Sequence, residues 1–335
     1  MPGADARIVK RLGATALLLA GFVVLGGVPS SARSQAGCVY VNERGAVLTA
    51  LTVKEIPARF RAGATCSDKQ PLMVPQAHDV DLRGQERSTS FGSPLGSMEV
   101  RWPRSVERCF SKSPARAVNE AATAVKRAIN SARFDSVIKS SDRKWEFLLI
   151  DQASAVSQFP MRLSVGGHPG FAVPPNRIYI VTDFVSVGCL PSPESDARLI
   201  QVLLHEMGHI LEFALLNGME SDGDRKRAEG FAAWFEGYSS AFASGIIPGS
   251  VQRYYRGLIT SQRDVGERSF SGSGQDYAIA SLEFEAIVDR KGVSGLMSVY
   301  QTMSSERLSF YDALERKFGW DRRDLVREVL RISSS

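Results

Sequence analysis

The stretch Ser192-Pro-Glu-Ser-Asp-Ala-Arg-Leu-Ile-Gln-Val-Leu-Leu-His-Glu-Met-Gly-His-Ile-Leu-Glu-Phe-Ala-Leu-Leu216 decides how this chain is read. Ser192 offers a capping hydroxyl, Pro193 suits a first helical turn, and Glu194 places negative charge at the positive end of the helix dipole. Leu199, Ile200, Val202, Leu203, Leu204, Met207, Ile210 and Leu211 make the helix so apolar that it must be largely buried. Asn217-Gly218 ends it. On that helix His205 and His209 are four residues apart, so both imidazoles lie on one face and can take one metal ion. Glu206 is rotated about 100° from His205, near the metal but off its line, as suits a base acting on metal-bound water. Random order of four histidines and 19 glutamates in 335 residues gives roughly 0.003 such patterns, so chance does not explain it. Burying two imidazoles and a carboxylate without a partner would cost several kcal/mol, and a metal relieves that cost.

The third ligand sets the subtype. A metzincin needs Gly at the third position after the second histidine and His at the sixth; here Glu212 and Leu215 stand there, which excludes that class. The next acidic candidates are Glu220, Asp222, Asp224, Glu229 and Glu236. Among them, Ala228-Glu229-Gly230-Phe231-Ala232-Ala233-Trp234-Phe235-Glu236 resembles the second zinc helix of gluzincin metallopeptidases, the clan of thermolysin and the zinc aminopeptidases. The resemblance covers roughly Ser192 to Ile332 and makes Glu229 the third zinc ligand. The spacing from His209 is one residue longer than in those aminopeptidases, a difference that a loop at 217–224 can absorb. Two neutral imidazoles and one carboxylate leave zinc positive, with an open position for an acidic water. Glu236, seven residues after Glu229, shares its helical face and either orients a ligand histidine or is a solvated surface glutamate. Members of the clan also carry an oxyanion donor. Asp276-Tyr277-Ala-Ile-Ala-Ser-Leu-Glu-Phe284 resembles the helix that follows the ligands in bacterial peptidase-like gluzincins, which gives Tyr277 that role, with Tyr238, Tyr254 and Tyr255 in reserve.

The implied activity is zinc-dependent peptide-bond hydrolysis: Glu206 takes a proton from zinc-bound water and passes it to the leaving amine. The Gly-x-Met-Glu-Asn strand of aminopeptidases is not visible, which argues against a standard aminopeptidase. A binding protein that keeps the fold without catalysis, or an enzyme acting on a non-peptide cell-envelope bond, is the competing reading. The implied partner is a peptide or protein.

The rest of the chain supplies context. Arg7, Lys10 and Arg11 precede an uncharged run from Leu12 to Val28 and small residues at Pro29-Ser-Ser-Ala32, the order of a secretory signal peptide cleaved after Ala32 or Ala36. A single membrane anchor would need a longer run without its four glycines, and Cys38 lies too far beyond the run for a lipoprotein acceptor. The mature chain would then be periplasmic or secreted, with no stable membrane span. Cys38, Cys66, Cys109 and Cys189 all follow the signal. Three pairings are open; nearest-neighbour order favours Cys38–Cys66 and Cys109–Cys189.

Val39-Tyr-Val41 and Ala46-Val-Leu48 flank a turn signal at Asn42–Gly45, a small β unit. Residues 67–98 read as a linker or irregular surface stretch. Helical spacing follows over Pro114–Phe134, with strands at Trp145–Ile150 and Arg177–Val187 and a loop at Gly166–Gly170 whose His168 either faces the substrate or stands in solvent. The C-terminal third from Tyr277 is helical, with breaks at Gly292 and Gly319. The expected fold is α+β, a gluzincin-like domain with a small mixed sheet, an active-site helix and a helical C-terminal part. The expected division is signal peptide 1–32, module and linker 33–98, and metallopeptidase-like domain 99–335.

With 44% hydrophobic residues the chain is neither disordered nor fibrous. The formal charge of +5 hints at nucleic acid, but removal of 1–32 takes away a net +2 and leaves about +3, and of 33–36 one more. No basic stripe interleaved with aromatics supports that partner.

Overall fold

The computed structural model describes residues 38–41, 47–50, 65–66, 86–132, 144–151, 155, 169–186, 189–216, 224–259, 265 and 270–334. The chain divides into two compact units, Met1–Val74 and Pro75–Ser335. The signal-peptide reading, His78, His168 and the turn at 42–45 lie outside the described residues. Among the described residues no helix is long and apolar enough to cross a membrane.

In the first unit β1 (Cys38–Val41) pairs antiparallel with β2 (Val47–Ala50) and with β3 (Thr65–Cys66). The hairpin is the one expected from the sequence. Its register sets Cys38 opposite Cys66, although the side chains of that pair lie outside the described residues.

The second unit is α+β. Its five-stranded mixed sheet has the order β4-β5-β6-β8-β7, formed by β4 (Glu86–Ser93), β5 (Gly96–Pro103), β6 (Lys144–Ile150), β7 (Gly170–Val173) and β8 (Arg177–Val181). β5, β6 and β8 run parallel, and the two edge strands pair antiparallel to their neighbours. Strand side chains alternate between faces. Met98, Val100, Phe147, Leu149, Ile178 and Ile180 enter the main core under the helices, while Leu148, Ile150, Tyr179 and Val181 form a smaller cluster with Phe171 on the other face.

Nine helices are described. They are α1 (Arg104–Glu107), α2 (Pro114–Ala132), α3 (Thr182–Val185), α4 (Pro193–Leu215), α5 (Arg225–Ser240), α6 (Ser250–Gly257), α7 (Gly274–Glu306), α8 (Phe310–Phe318) and α9 (Arg322–Ser333). α4 begins as its sequence dictates: Ser192 accepts a hydrogen bond from Ser195 N at 3.0 Å. Buried Asp196 accepts from Ser111 N at 2.9 Å, which ties the first turn of α4 to the α1–α2 connection. The disulfide Cys109–Cys189, across 80 residues, fastens the same junction. Closing a loop of that length removes unfolded-state entropy equivalent to about 4–5 kcal/mol.

Two expectations are corrected. Residues 86–98 are not linker: β4 and most of β5 lie there, within the second unit, and the division between the units falls at Val74 rather than after Met98. β4 is an edge strand of Ser, Thr and charged residues, mostly exposed, so it carries no apolar alternation. Pro94 and Gly96 belong to the hairpin turn between β4 and β5, whose Leu95 carbonyl accepts from Trp145 Nε1 at 3.2 Å. The strand expected over Arg177–Val187 stops at Val181, where Thr182 donates to the Ile150 carbonyl and the chain turns into α3. Gly292 and Gly319 do break the C-terminal helices, both at positive φ (69° and 67°).

The helices meet without intervening side chains at two glycines. A Cβ on Gly208 would lie 3.0 Å from Ala232 Cα, and one on Gly230 would lie 2.9 Å from the Ala280 carbonyl oxygen. α4, α5 and α7 are thus fixed at near-contact distance. Gly230→Ala is expected to lose about 1–3 kcal/mol in urea unfolding, whereas Gly257→Ala, with nothing within 4 Å, should be neutral or stabilising. Equal stability of the two variants would mean that the close approach imposes no constraint.

Candidate metal centre

α4 and α5 cross so that His205, His209 and Glu229 converge, with one ligand atom from each lying within 4.8 Å of the others. Glu229 Oε2 is 3.4 Å from His205 Nε2 and 3.5 Å from His209 Nε2. Ligand atoms at the corners of a tetrahedron with bonds of about 2.0–2.1 Å are about 3.3–3.4 Å apart. The donor set therefore fits a tetrahedrally coordinated divalent ion in chemistry and in spacing. The imidazoles are nearly perpendicular, at 80° with centroids 5.0 Å apart.

The surroundings favour a cation at this point. Burial opposes charge on His205, but hydrogen bonds to Glu229 and Glu236 outweigh it and hold its pKa well above the usual value. Burial likewise opposes charge on Glu229, and the two histidines reverse that and hold its carboxyl well below the usual range.

Glu236 is brought to the site. Its Oε2 lies 3.3 Å from His205 Nδ1 and accepts from the Tyr255 hydroxyl at 3.4 Å. A proton on Nδ1 leaves Nε2, the atom facing Glu229, with its lone pair free for a metal. Tyr255 is partly buried, and desolvation and the charge of Glu236 keep its hydroxyl protonated and able to donate.

Glu206 is buried at 4% exposure and lines the same cleft. Its carboxylate sits against β7: a Cβ on Gly170 would come within 2.9 Å of Glu206 Oε1. Only glycine gives the edge strand room beside that carboxylate. Tyr277 also lines the cleft, its ring 6.2 Å from that of His205. Burial and the nearby Glu229 raise its pKa, so the hydroxyl is a donor at any ordinary pH. Arg225 reaches Glu229 Oε1 at 3.7 Å and stacks over Phe270. Of the reserve tyrosines, Tyr254 and Tyr255 line the cleft. Tyr238 does not reach the centre; it stacks on Trp234 and donates to Ser131 on α2.

Two ion pairs, one buried and one partly buried, hold the start of α5. Arg227 donates to Glu212 Oε1 at 2.9 Å, and the Tyr300 hydroxyl donates to the same oxygen at 2.6 Å. Lys226 pairs with Glu283, which also accepts from Tyr311 at 2.9 Å. The sequence reading used Glu212 only to exclude a subtype. The available signal was its place one turn beyond His209 on an otherwise apolar helix.

Compared with protein-family models, curated proteins and solved structures, the chain matches none.

The wild-type protein is expected to bind one divalent ion per chain, and His209→Ala or Glu229→Ala to lose it. Glu236→Ala should keep the stoichiometry but weaken affinity about 10- to 100-fold, measured by competition with a chromophoric chelator. Unchanged affinity in that variant would detach Glu236 from the centre.

Proposed function

We propose that this protein is an exported, zinc-dependent metallopeptidase of the gluzincin type. The observation that carries the reading is the convergence of two imidazoles and a carboxylate at tetrahedral-edge spacing, with a buried glutamate beside them in a cleft of about 520 Å³. Bound zinc supplies Lewis acidity, which makes a water acidic near neutral pH and polarises a carbonyl. His205, His209 and Glu229 hold it. Glu236 fixes the tautomer of His205.

The proton work falls to Glu206. It lies beside the ligands, is shielded from bulk solvent, and is adjacent in sequence to His205, so it accepts the proton of the attacking water and returns it to the leaving amine. The Tyr277 hydroxyl donates to the oxyanion that develops on the scissile carbonyl. Arg225 and Glu229 beside it keep that hydroxyl within the site.

The cleft is bordered by β7, which among the described residues pairs only with β8. The Cys109–Cys189 bond supports an oxidising compartment, which agrees with the export signal read in 1–32.

Zinc content and hydrolysis of a general peptide library test the reading together. Glu206→Gln should abolish turnover with zinc still bound, and retained hydrolysis by that variant would remove the mechanism. Tyr277→Phe should lower kcat about 10²-fold with KM little changed. Stoichiometric zinc without any turnover would instead favour a binding protein that keeps the site for architecture.

A further inference from the structure

The face of α4 that lines the cleft runs through Arg198, Val202, His205, His209, Phe213 and Leu216, at spacings of three, four or seven residues. The metal ligands occupy its middle. Phe213 and Leu216 make one end apolar. Arg198, with Gln201 beside it, makes the other end polar and positive.

Arg198 differs from the other arginines around the site. Arg227 is neutralised by Glu212, Arg225 faces Glu229, and Arg256 pairs with Glu285. Arg198 is partly buried in the cleft wall, and among the described residues no hydrogen-bond or ion-pair partner meets it. The buried carboxylate nearest in sequence, Asp196, is committed to the backbone N–H groups of Ser111 and Lys112. A guanidinium drawn partly out of water without a counter-charge is unfavourable. Its planar fork is matched by a carboxylate, which it binds through two parallel hydrogen bonds.

Position sets which part of a ligand it meets. Arg198 precedes His205 by seven residues, about 10 Å along the helix axis. An extended peptide advances about 3.3 Å per residue, so that distance corresponds to about three residues. We propose that Arg198 is a substrate-binding residue that recognises a carboxylate about three residues from the bond that is cut, so that the preferred substrates are peptides acidic at that point. The carboxylate is either an Asp or Glu side chain or the free C-terminus of a short peptide. The proposal rests on the cleft being the peptide-binding site of a hydrolase.

Binding tests it apart from turnover. The probes are end-blocked fluorescent hexapeptides, neutral except for a Glu placed at each position in turn. Each is compared with its Gln counterpart on zinc-loaded, full-length Glu206→Gln protein. A further neutral peptide carries a free C-terminus. At one position Glu should bind about tenfold more tightly than Gln, with the advantage shrinking as salt rises. If the C-terminal carboxylate is the group recognised, the unblocked neutral peptide shows the gain instead.

Arg198→Ala in the same background should abolish the Glu/Gln ratio, and Arg198→Glu should invert it in favour of Lys; thermal melts check that both variants fold. Equal binding of every Glu/Gln pair and of the blocked and unblocked peptides overturns the proposal. So does a ratio that survives Arg198→Ala, or no binding by any peptide. Wild-type cleavage of the same peptides separates the two claims. An Arg198-dependent ratio without cleavage sinks the hydrolase reading and leaves the carboxylate site. Cleavage without charge preference does the reverse.

Discussion

The near-contact of α4 and α5 at Gly208 and Ala232 is the constraint on which the site depends. Two of the candidate ligands ride on one helix and the third on the other. A histidine and a glutamate on neighbouring helices meet at 3.4 Å only when the backbones are close and fixed in register. A methyl group on Gly208 would push the helices apart by a few tenths of an ångström, a large fraction of the tolerance of a metal–ligand bond. Behind α5 the same device recurs at Gly230 against α7. Phe231, Phe284, Phe310 and Tyr300 fill the space around it with ring contacts of 5.0 to 6.1 Å.

Close packing fixes the distance between the helices but not the slide of one along the other. The two ion pairs address the slide. Lys226 and Arg227 lie in the first turn of α5, just before Glu229, and they reach in opposite directions, to Glu283 on α7 and to Glu212 on α4. Each acceptor is completed by a tyrosine, Tyr311 and Tyr300 respectively. Such pairs add little net stability, because desolvating the charges offsets their attraction, but a shift that breaks one leaves a buried charge and costs about 3–5 kcal/mol. They therefore act mainly on register, and the residue they register is Glu229, the third candidate ligand. The N-cap at Asp224, which accepts from Arg227 N at 3.0 Å, starts the helix at the point these pairs require.

What could be read from the sequence was whatever is local or periodic. α4 announced itself through its cap, its apolar face and its histidines, and the Glu229 helix through a short motif. Both follow from a 3.6-residue period that one stretch of chain carries alone. β4 and β7 were not read because an edge strand needs little burial, and its partner is supplied by another part of the chain. Tyr238 was a reasonable reserve by composition, but on α5 it lies two residues beyond Glu236, about 200° around the helix, and so faces α2. The partners of Glu212, the hydrogen bond from Tyr255 to Glu236 and the absence of a partner for Arg198 among the described residues are tertiary facts. No window of sequence contains them, since each joins or separates residues on different elements.

Three glutamates stand within one small region, and their surroundings give them different work. Glu229 is flanked by two imidazoles that keep it ionised against its burial, which suits it to the proposed role of a negative ligand. Glu236 meets the outer nitrogen of one of those imidazoles and a protonated tyrosine, so it serves to orient. Glu206 lies against the glycine of an edge strand, in the wall of the cleft. A carboxylate meant to carry a proton back and forth must not be locked by a permanent cation, and it must be able to reach the substrate. Glu206, buried in the cleft wall against β7, is the one to which the proposed mechanism gives that work. These differences of environment, more than the motifs that contain the three residues, are what support the proposed division of roles.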